Sequence, residues 1–524
     1  MRTKGRFVAA LAGAAVLTGV AAASPGQLDP AFGNGGAVAT DFGGTDQAFA
    51  VAEQTDGKLV VGGSTDSPPD YTIYPALTRY TPTGVLDPTF GNGGKLVLSD
   101  EGAEIVGLAV QPDGKLVAVL SEFQPPDTSY GLVERFNADG TRDTTFATGG
   151  VFTSSEGDFF ESVALQPDGR IVAAGTSVAA DGLSGSAVVY RLNANGTRDT
   201  TFSTGGAAYV HFDSTFDQGY WVVVQPDGKL DIGGNDETTS AGGGFALARL
   251  LPNGTPDATF GANGVATASF PEGTSASVSA ALQPDGKLVV GGDIGDASST
   301  VIPASDIALA RFDANGALDP TFGNGGTEDI NFGQESPGVN SNEVLDTVAL
   351  QQDGKIVAVG SRSPDGNANP VYLALRLNSD GSFDPTFGSG GVATASIYGD
   401  DAAFAGLLQP DGKIVGVGFA VGPAPSFATD FGVVRWLGDD TPAQQVSSLR
   451  AAVAGAGLPA GTAASLEAKL DAAAASLPGS PKTAANQLDA FANEVRAQAG
   501  KKIPAATAAA WAAQAAAIAA RLRA

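Results

Sequence analysis

Carboxylates are the abundant chemistry-bearing side chains of this 524-residue chain. It has 56 Asp and Glu, 29 Lys and Arg, one histidine (His211), one methionine and no cysteine. That inventory excludes thiolate nucleophiles, disulfides and ordinary zinc sites. A Ser-His-Asp triad could draw only on His211, whose flanks Tyr209-Val210-His211-Phe212 read as a strand end. No Gly-x-Ser-x-Gly elbow occurs; the nearest approach, Gly182-Leu183-Ser184-Gly185-Ser186, lacks the final glycine. Carboxylate chemistry remains. Asp100-Glu101, Asp236-Glu237 and Asp400-Asp401 each set two acids side by side. Hard cations such as calcium want several oxygen ligands, although no EF-hand spacing is present. Two acids are also the machinery of glycoside hydrolysis. These six residues form the candidate ligand-binding set. No residue is assigned a catalytic role, and calcium is the one cofactor considered.

The formal charge of −27 argues against nucleic acid as a partner, because a phosphate backbone needs clustered Lys and Arg. The 72 glycines and 30 prolines stay below the proportion of a low-complexity chain.

The elements that must position these acids are repeats. Asp-Gly-Lys/Arg recurs at Asp56, Asp113, Asp168, Asp227, Asp285, Asp353 and Asp411, at spacings of 55 to 68 residues. An Asp-x-x-Phe box recurs at Asp29, Asp87, Asp143, Asp199, Asp257, Asp319 and Asp384. An arginine ends an apolar run at Arg79, Arg135, Arg191, Arg249, Arg311, Arg376 and Arg435. Three independent markers each count seven. In the second unit, strands are expected at Lys95–Leu98, Val106–Gln111, Lys115–Leu120 and Gly131–Phe136, with a Pro112-Asp113-Gly114 turn in which Gly takes φ > 0.

Four strands repeated seven times predict a seven-bladed β-propeller with a mainly β fold. The last unit has Arg435 but no following box; the first box, Leu28 to Phe32, precedes the first unit. Residues 26–36 are therefore expected to pack onto the last blade and close the ring. A function needing one site does not need seven copies, so the repeated aspartates and arginines read as structural. Each arginine is expected to pair with a repeat aspartate from blade to blade.

Boxes such as Leu318-Asp319-Pro320-Thr321-Phe322-Gly323, followed by Gln-Pro-Asp-Gly-Lys-Leu/Ile-Val, resemble delta-60 repeats over about residues 26–437. The resemblance implies a bacterial propeller and carries no catalytic residue. Units three to five depart from the box, with Arg142, Arg198 and Pro256 in place of its leucine.

The two ends differ. Arg2, Lys4 and Arg6 precede an apolar run from Phe7 to about Val20 and then Ala21-Ala22-Ala23, the pattern of a secretory signal peptide cut near Ala23. From Thr441 the chain turns alanine-rich and basic, with eight bases against four acids. Val446, Leu449, Val453, Leu466, Leu470, Leu477, Leu488, Phe491, Val495, Trp511, Ile518 and Leu522 fall at helical spacing, predicting a four-helix, all-α bundle. Leu466-Glu467-Ala468-Lys469-Leu470, Asn486 to Phe491 and Gly500-Lys501-Lys502-Ile503 resemble the FIMAH domain, which implies an accessory module of secreted proteins. The expected organisation is a signal peptide (1–23), a propeller (24–437), a linker (438–442) and the helical module (443–524).

In such a meander the Pro-Asp-Gly turns and Asp-x-x-Phe linkers share one end of the ring. The remaining connections, near 41–47, 99–104, 154–161, 211–219, 269–277, 331–346 and 396–402, and near 64–75, 121–130, 176–186, 234–244, 292–306, 361–370 and 419–430, carry 28 acids and one base, Arg362. Binding residues concentrate on variable loops of a rigid scaffold. The leading expectation is a secreted or surface-associated, monomeric, non-catalytic binding scaffold whose partner is an unidentified protein or glycan. A hydrolase or lyase using loop carboxylates, calcium-assisted or not, and a purely structural exported protein stay open as alternatives. No transmembrane segment is expected in the mature chain.

Overall fold

The computed structural model describes residues 24–523 apart from 68–70, 125–127, 156, 181, 213–215, 237–243, 271–272, 297–304, 334–340, 352, 365–368, 423–427, 439–441, 457 and 478. Residues 1–23, where a signal peptide is expected, and Glu237 lie outside the described residues. Seven four-stranded antiparallel sheets form the body, and four helices follow. The innermost strands are Asp46–Glu53, Ala103–Val110, Asp158–Leu165, Asp217–Val224, Gly273–Leu282, Asn342–Leu350 and Asp401–Leu408. Each touches the innermost strands of both neighbouring blades, including Asp46–Glu53 against Asp401–Leu408, so the ring is closed. The architecture is the seven-bladed propeller that the repeats predict.

The blade boundary differs from the sequence unit. Lys95–Val97 was expected to open the second unit, but it pairs with Thr72–Tyr80 as the outermost strand of the first blade. The reason is local. After Tyr80 the linker folds back through the Asp87 box, and the chain leaving it pairs with the strand it has just left. The second blade is therefore Ala103–Val110, Leu116–Gln124, Thr128–Phe136 and Val151–Thr153.

This offset explains the closure. The seventh blade takes its outermost strand, Ala37–Thr40, from the N-terminal end of the ring; it pairs with Thr429–Trp436 in the register Ala37↔Val434 to Thr40↔Phe431. Upstream, Leu28 bridges Trp436, and the amides of Gly26 and Asp29 donate to the carbonyls of Leu437 and Arg435.

Each repeat arginine has a fixed environment. In six blades its Nε donates to the box aspartate of its own blade, at 3.0 Å for Arg79–Asp87, 2.8 Å for Arg135–Asp143 and 2.8 Å for Arg376–Asp384; in the fourth, Arg249 turns instead to Asp231. Its guanidinium lies over the box phenylalanine, from 3.9 Å for Arg249 on Phe260 to 4.9 Å for Arg311 on Phe322. The ion pair was expected between blades; it lies within one. What crosses to the next blade is a hydrogen bond from Nη1 to a turn carbonyl, Arg135 to Ala194 at 2.6 Å and Arg435 to Pro82 at 2.8 Å. The reach is set by the offset: the box belongs to the arginine's own sheet, and the following blade presents only its turn.

The Asp-Gly turns hold themselves. Asp113 Oδ1 accepts the amide of Lys115 at 3.1 Å, and Gly114 has φ 85°. The lysine then pairs with the box aspartate of the same blade, as in Lys115–Asp143 at 2.6 Å and Lys355–Asp384 at 3.0 Å. Turn and box therefore share one end of the ring.

The helices are α1 (Pro442–Gly455), α2 (Ala460–Ser476), α3 (Pro481–Gln498) and α4 (Ala505–Arg521). Alanine supplies intrinsic helix propensity. Val446, Leu449, Val453, Leu466, Leu470, Leu488, Phe491, Val495, Trp511 and Ile518 form a shared apolar core. No helix among the described residues is long and apolar enough to cross a membrane.

Candidate functional site

The innermost strands enclose a cavity of about 600 Å³ on the ring axis, lined from all seven blades. A single backbone device shapes it. Every innermost strand carries a β-bulge at the same place, seen as register shifts between Ala48 and Ala50, Ile105 and Gly107, Phe160 and Ser162, Gly219 and Trp221, Ser277 and Ser279, Leu345 and Thr347, and Ala403 and Ala405. A bulge leaves one residue without a ladder partner and re-aims its side chain. The seven extra residues are Phe49, Val106, Glu161, Tyr220, Val278, Asp346 and Phe404, and all seven line the cavity.

The sequence does hold a signal for these bulges. In six blades a glycine on the second strand faces the bulge: Gly63, Gly175, Gly234, Gly292, Gly360 and Gly418. A Cβ there would meet a carbonyl oxygen of the inner strand at 1.7 to 2.0 Å, for example Gln218 O from Gly234 and Phe159 O from Gly175. Close backbone approach of this kind is one of the few reasons for glycine inside a strand. Loop-centred reasoning passed over it.

The cavity wall is uneven. Phe49 and Phe404, from the first and seventh blades, stack at 5.3 Å and 28°. Tyr220, in the fourth blade, stands across the ring from that seam and donates from its hydroxyl to Gln218 Oε1 at 2.5 Å. Glu161 and Asp346, in the third and sixth blades, are as far apart around the ring as seven positions allow. Glu104 also lines the wall and accepts from Ser64 Oγ at 3.0 Å.

Burial, with Glu104 beside it, pushes the Glu161 carboxyl up to about 7. Burial pushes Asp346 well above the ordinary carboxylate range, and the neighbouring Asp293 adds to it. Asp293 is itself pushed up to about 7 by burial, which the amide of Leu345 partly offsets by donating to Oδ1 at 2.7 Å. Asp346 Oδ2 is shielded from solvent and has no hydrogen-bond partner. Among the described residues, no Lys, Arg or His lines the cavity.

The residues singled out from the sequence are placed differently. Asp100 is paired with Arg142 at 2.7 Å, and Glu101 accepts from the Tyr74 hydroxyl at 3.3 Å. Asp401 is buried and staples its own loop, accepting from Ser396 Oγ at 2.6 Å and from the amides of Ile397 and Gly399 at 2.5 and 3.2 Å. Asp400 is exposed beside it, and Asp236 ends its strand. Asp46 and Asp217 repeat the Asp401 pattern, accepting from the amides of Phe42 at 2.6 Å and Phe212 at 3.0 Å. Several acids of the expected loop face are thus strand residues, capping loops or facing the axis.

His211 is exposed, with Nδ1 3.4 Å from Asp217 Oδ2. Asp41, Asp46 and Asp430 bring carboxylate oxygens within 4.8 Å of one another at the ring closure. Burial pushes Asp46 up to about 6, against the hydrogen bonds from Phe42 and Thr65.

This geometry defines the class: a closed, axially hollow, seven-bladed propeller. Residues 54–90, 166–202, 225–260, 283–322 and 351–387 match the family model described as a domain of unknown function (DUF5122) beta-propeller, the family of the delta-60 repeats. No curated protein sequence matches the chain. Similar solved structures include the α-L-arabinanase of Penicillium chrysogenum complexed with arabinobiose, at 15% identity over 63% of this chain and 91% of that one, with a TM-score of 0.36. An ulvan lyase of polysaccharide lyase family PL25 is 11% identical over 77% and 96%, with a TM-score of 0.42. The propeller domain of the trilobed protease of Pyrococcus furiosus is 9% identical over 76% and 95%, with a TM-score of 0.38. These likenesses concern the fold alone.

Proposed function

We propose that this is an exported, non-catalytic binding protein whose ligand occupies the axial cavity. The supporting observation is where the repeat breaks its own symmetry. Structural positions are near-copies from blade to blade: the residue opposite the repeat arginine is Val60, Val117, Val172, Val289, Val357 and Val415 in six blades. The bulge position carries Phe, Val, Glu, Tyr, Val, Asp and Phe. Packing alone gives no reason for a carboxylate at two of those positions, because an unpaired buried carboxyl costs stability. A ligand that meets each blade differently does. Export rests on the basic, apolar and small-residue pattern of residues 1–23, and an accessory role for the helical module on its FIMAH-like segments.

The test is a thermal-shift screen of sugars, amines and short peptides against the wild type and Phe404→Ala. The reading expects a compound that stabilises the wild type and loses that effect in the variant. No stabilising compound, or one indifferent to Phe404, counts against it.

One observation favours a hydrolase as the second reading. Glu161, held near 7 by burial beside Glu104, has the setting of a general acid. That reading expects turnover of a polysaccharide, abolished by Glu161→Gln.

A further inference from the structure

We infer that the axial cavity takes a small aliphatic diamine or polyamine, its ammonium groups held by Glu161 and Asp346 and its methylenes lying along Phe49 and Phe404. This rests on the binding reading above and names the ligand class for the same cavity.

Charge is the first argument. Three carboxyl groups, Glu104, Glu161 and Asp346, line the cavity; Asp293 stands behind Asp346, and no base is among the lining residues. Ionising one acid there is opposed by its neighbour, Glu104 for Glu161 and Asp293 for Asp346. A cation offsets both the missing hydration and that repulsion. A neutral sugar would satisfy hydrogen bonds but leave the like charges facing each other.

The second argument is the partnerless oxygen. A shielded oxygen such as Asp346 Oδ2 is normally hydrogen-bonded, so each exception calls for a reason; a turn of the carboxyl would present it to the cavity, where a cationic donor would satisfy it. An ammonium carries three donors and no acceptor, which suits a wall whose charged groups are all carboxylates.

Shape is the third. The two bulge carboxyls lie on opposite sides of the ring, which suits a ligand charged at both ends. Between them the wall carries Val106, Val278 and the stacked phenylalanines, together with Ser162, Ser279 and Thr347. Aromatic faces attract ammonium groups and shield their alkyl stems.

The experiment is titration calorimetry of the full mature chain at low ionic strength and mildly alkaline pH. The probes are putrescine, spermidine, n-butylamine, calcium chloride and a neutral oligosaccharide series. The variants are Glu161→Gln, Asp346→Asn and Phe404→Ala. Putrescine or spermidine should bind at one site, at least about tenfold tighter than butylamine, and each carboxyl variant should weaken it about tenfold or more. Diamine binding unaffected by Glu161→Gln and Asp346→Asn would place the amines on the outer acidic surface and overturn the inference. Oligosaccharide binding lost in Phe404→Ala, without diamine binding, would overturn the ligand class and keep the binding reading. Calcium binding sensitive to the carboxyl variants, without diamine binding, would replace the diamine by a metal ion. If no probe binds, the diamine inference is overturned, while the binding reading stands or falls on the wider screen that includes short peptides.

Discussion

Arg435 and Asp29 are 406 positions apart in the chain and share a buried ion pair, with Arg435 Nη2 2.8 Å from Asp29 Oδ2. Every other box aspartate lies eight positions after its repeat arginine; among the repeat ion pairs of the described residues, this one alone joins the two ends of the ring. Removing one partner of a buried pair leaves the other charge uncompensated, at a cost of about 3–5 kcal/mol. Arg435→Met should therefore lower the unfolding free energy by about that amount in denaturant titration. Buried Trp436 adjoins the closure, so its emission should shift to the red in the same variant. A loss no larger than that of an exposed-residue change would contradict closure by this pair.

The fourth blade departs from its siblings. The position opposite its arginine is Asp231 where the other six carry valine, and Arg249 Nε turns to Asp231 Oδ1 at 2.6 Å. Asp257, the box acid, keeps Lys229 at 3.0 Å. Asp231→Val should return Arg249 to Asp257 and leave the melting temperature equal or higher, since the arginine keeps a carboxylate partner and valine fills this position in the other six blades. Asp257→Asn should then cost more in the Asp231→Val background than alone, as a double-mutant cycle reads directly.

Two opposed pH dependences are expected. Burial opposes ionisation of Asp87, but the hydrogen bonds of Thr89 and the charges of Arg79 and Lys58 outweigh it and hold the carboxyl at about 2, below its ordinary 3.8. The stability it contributes is present above 3.8 and is lost as pH falls through about 2. Glu161 works the other way. Its carboxyl rises from 4.5 to about 7, so its favourable state is complete below 4.5 and is lost as pH climbs through about 7. Melting temperature should decline over that upper window in the wild type and decline less in Glu161→Gln. An identical slope in the two proteins would contradict a strained Glu161.

Much of the fold was readable because the repeat writes it seven times. The count of blades, the closing N-terminal segment and the helical core around Leu470 and Phe491 follow from spacing, and the structure has them. The strand at Lys95 was assigned to the wrong blade, because sequence order cannot show that a linker folds back onto the strand it left. The arginine pairing was misplaced for the same reason. The site was least readable. Acids such as Glu161 and Asp346 sit where strand and loop meet, and only the bulge decides whether they face solvent or the axis. The facing glycines, Gly175 and Gly360, were the available sign.

If Glu161 and Asp346 serve a ligand at the expense of stability, removing them should stabilise the empty ring. Blades two and five carry valine at the same bulge, Val106 and Val278, so the backbone accepts that residue there. The direct measurement is the ligand-free melting temperature of the double variant Glu161→Val/Asp346→Val against the wild type at mildly alkaline pH. A rise of a few degrees is expected, as two half-buried, uncompensated carboxyls are removed. A fall would mean that the two acids help hold the ring together, and would contradict a ligand role at the expense of stability.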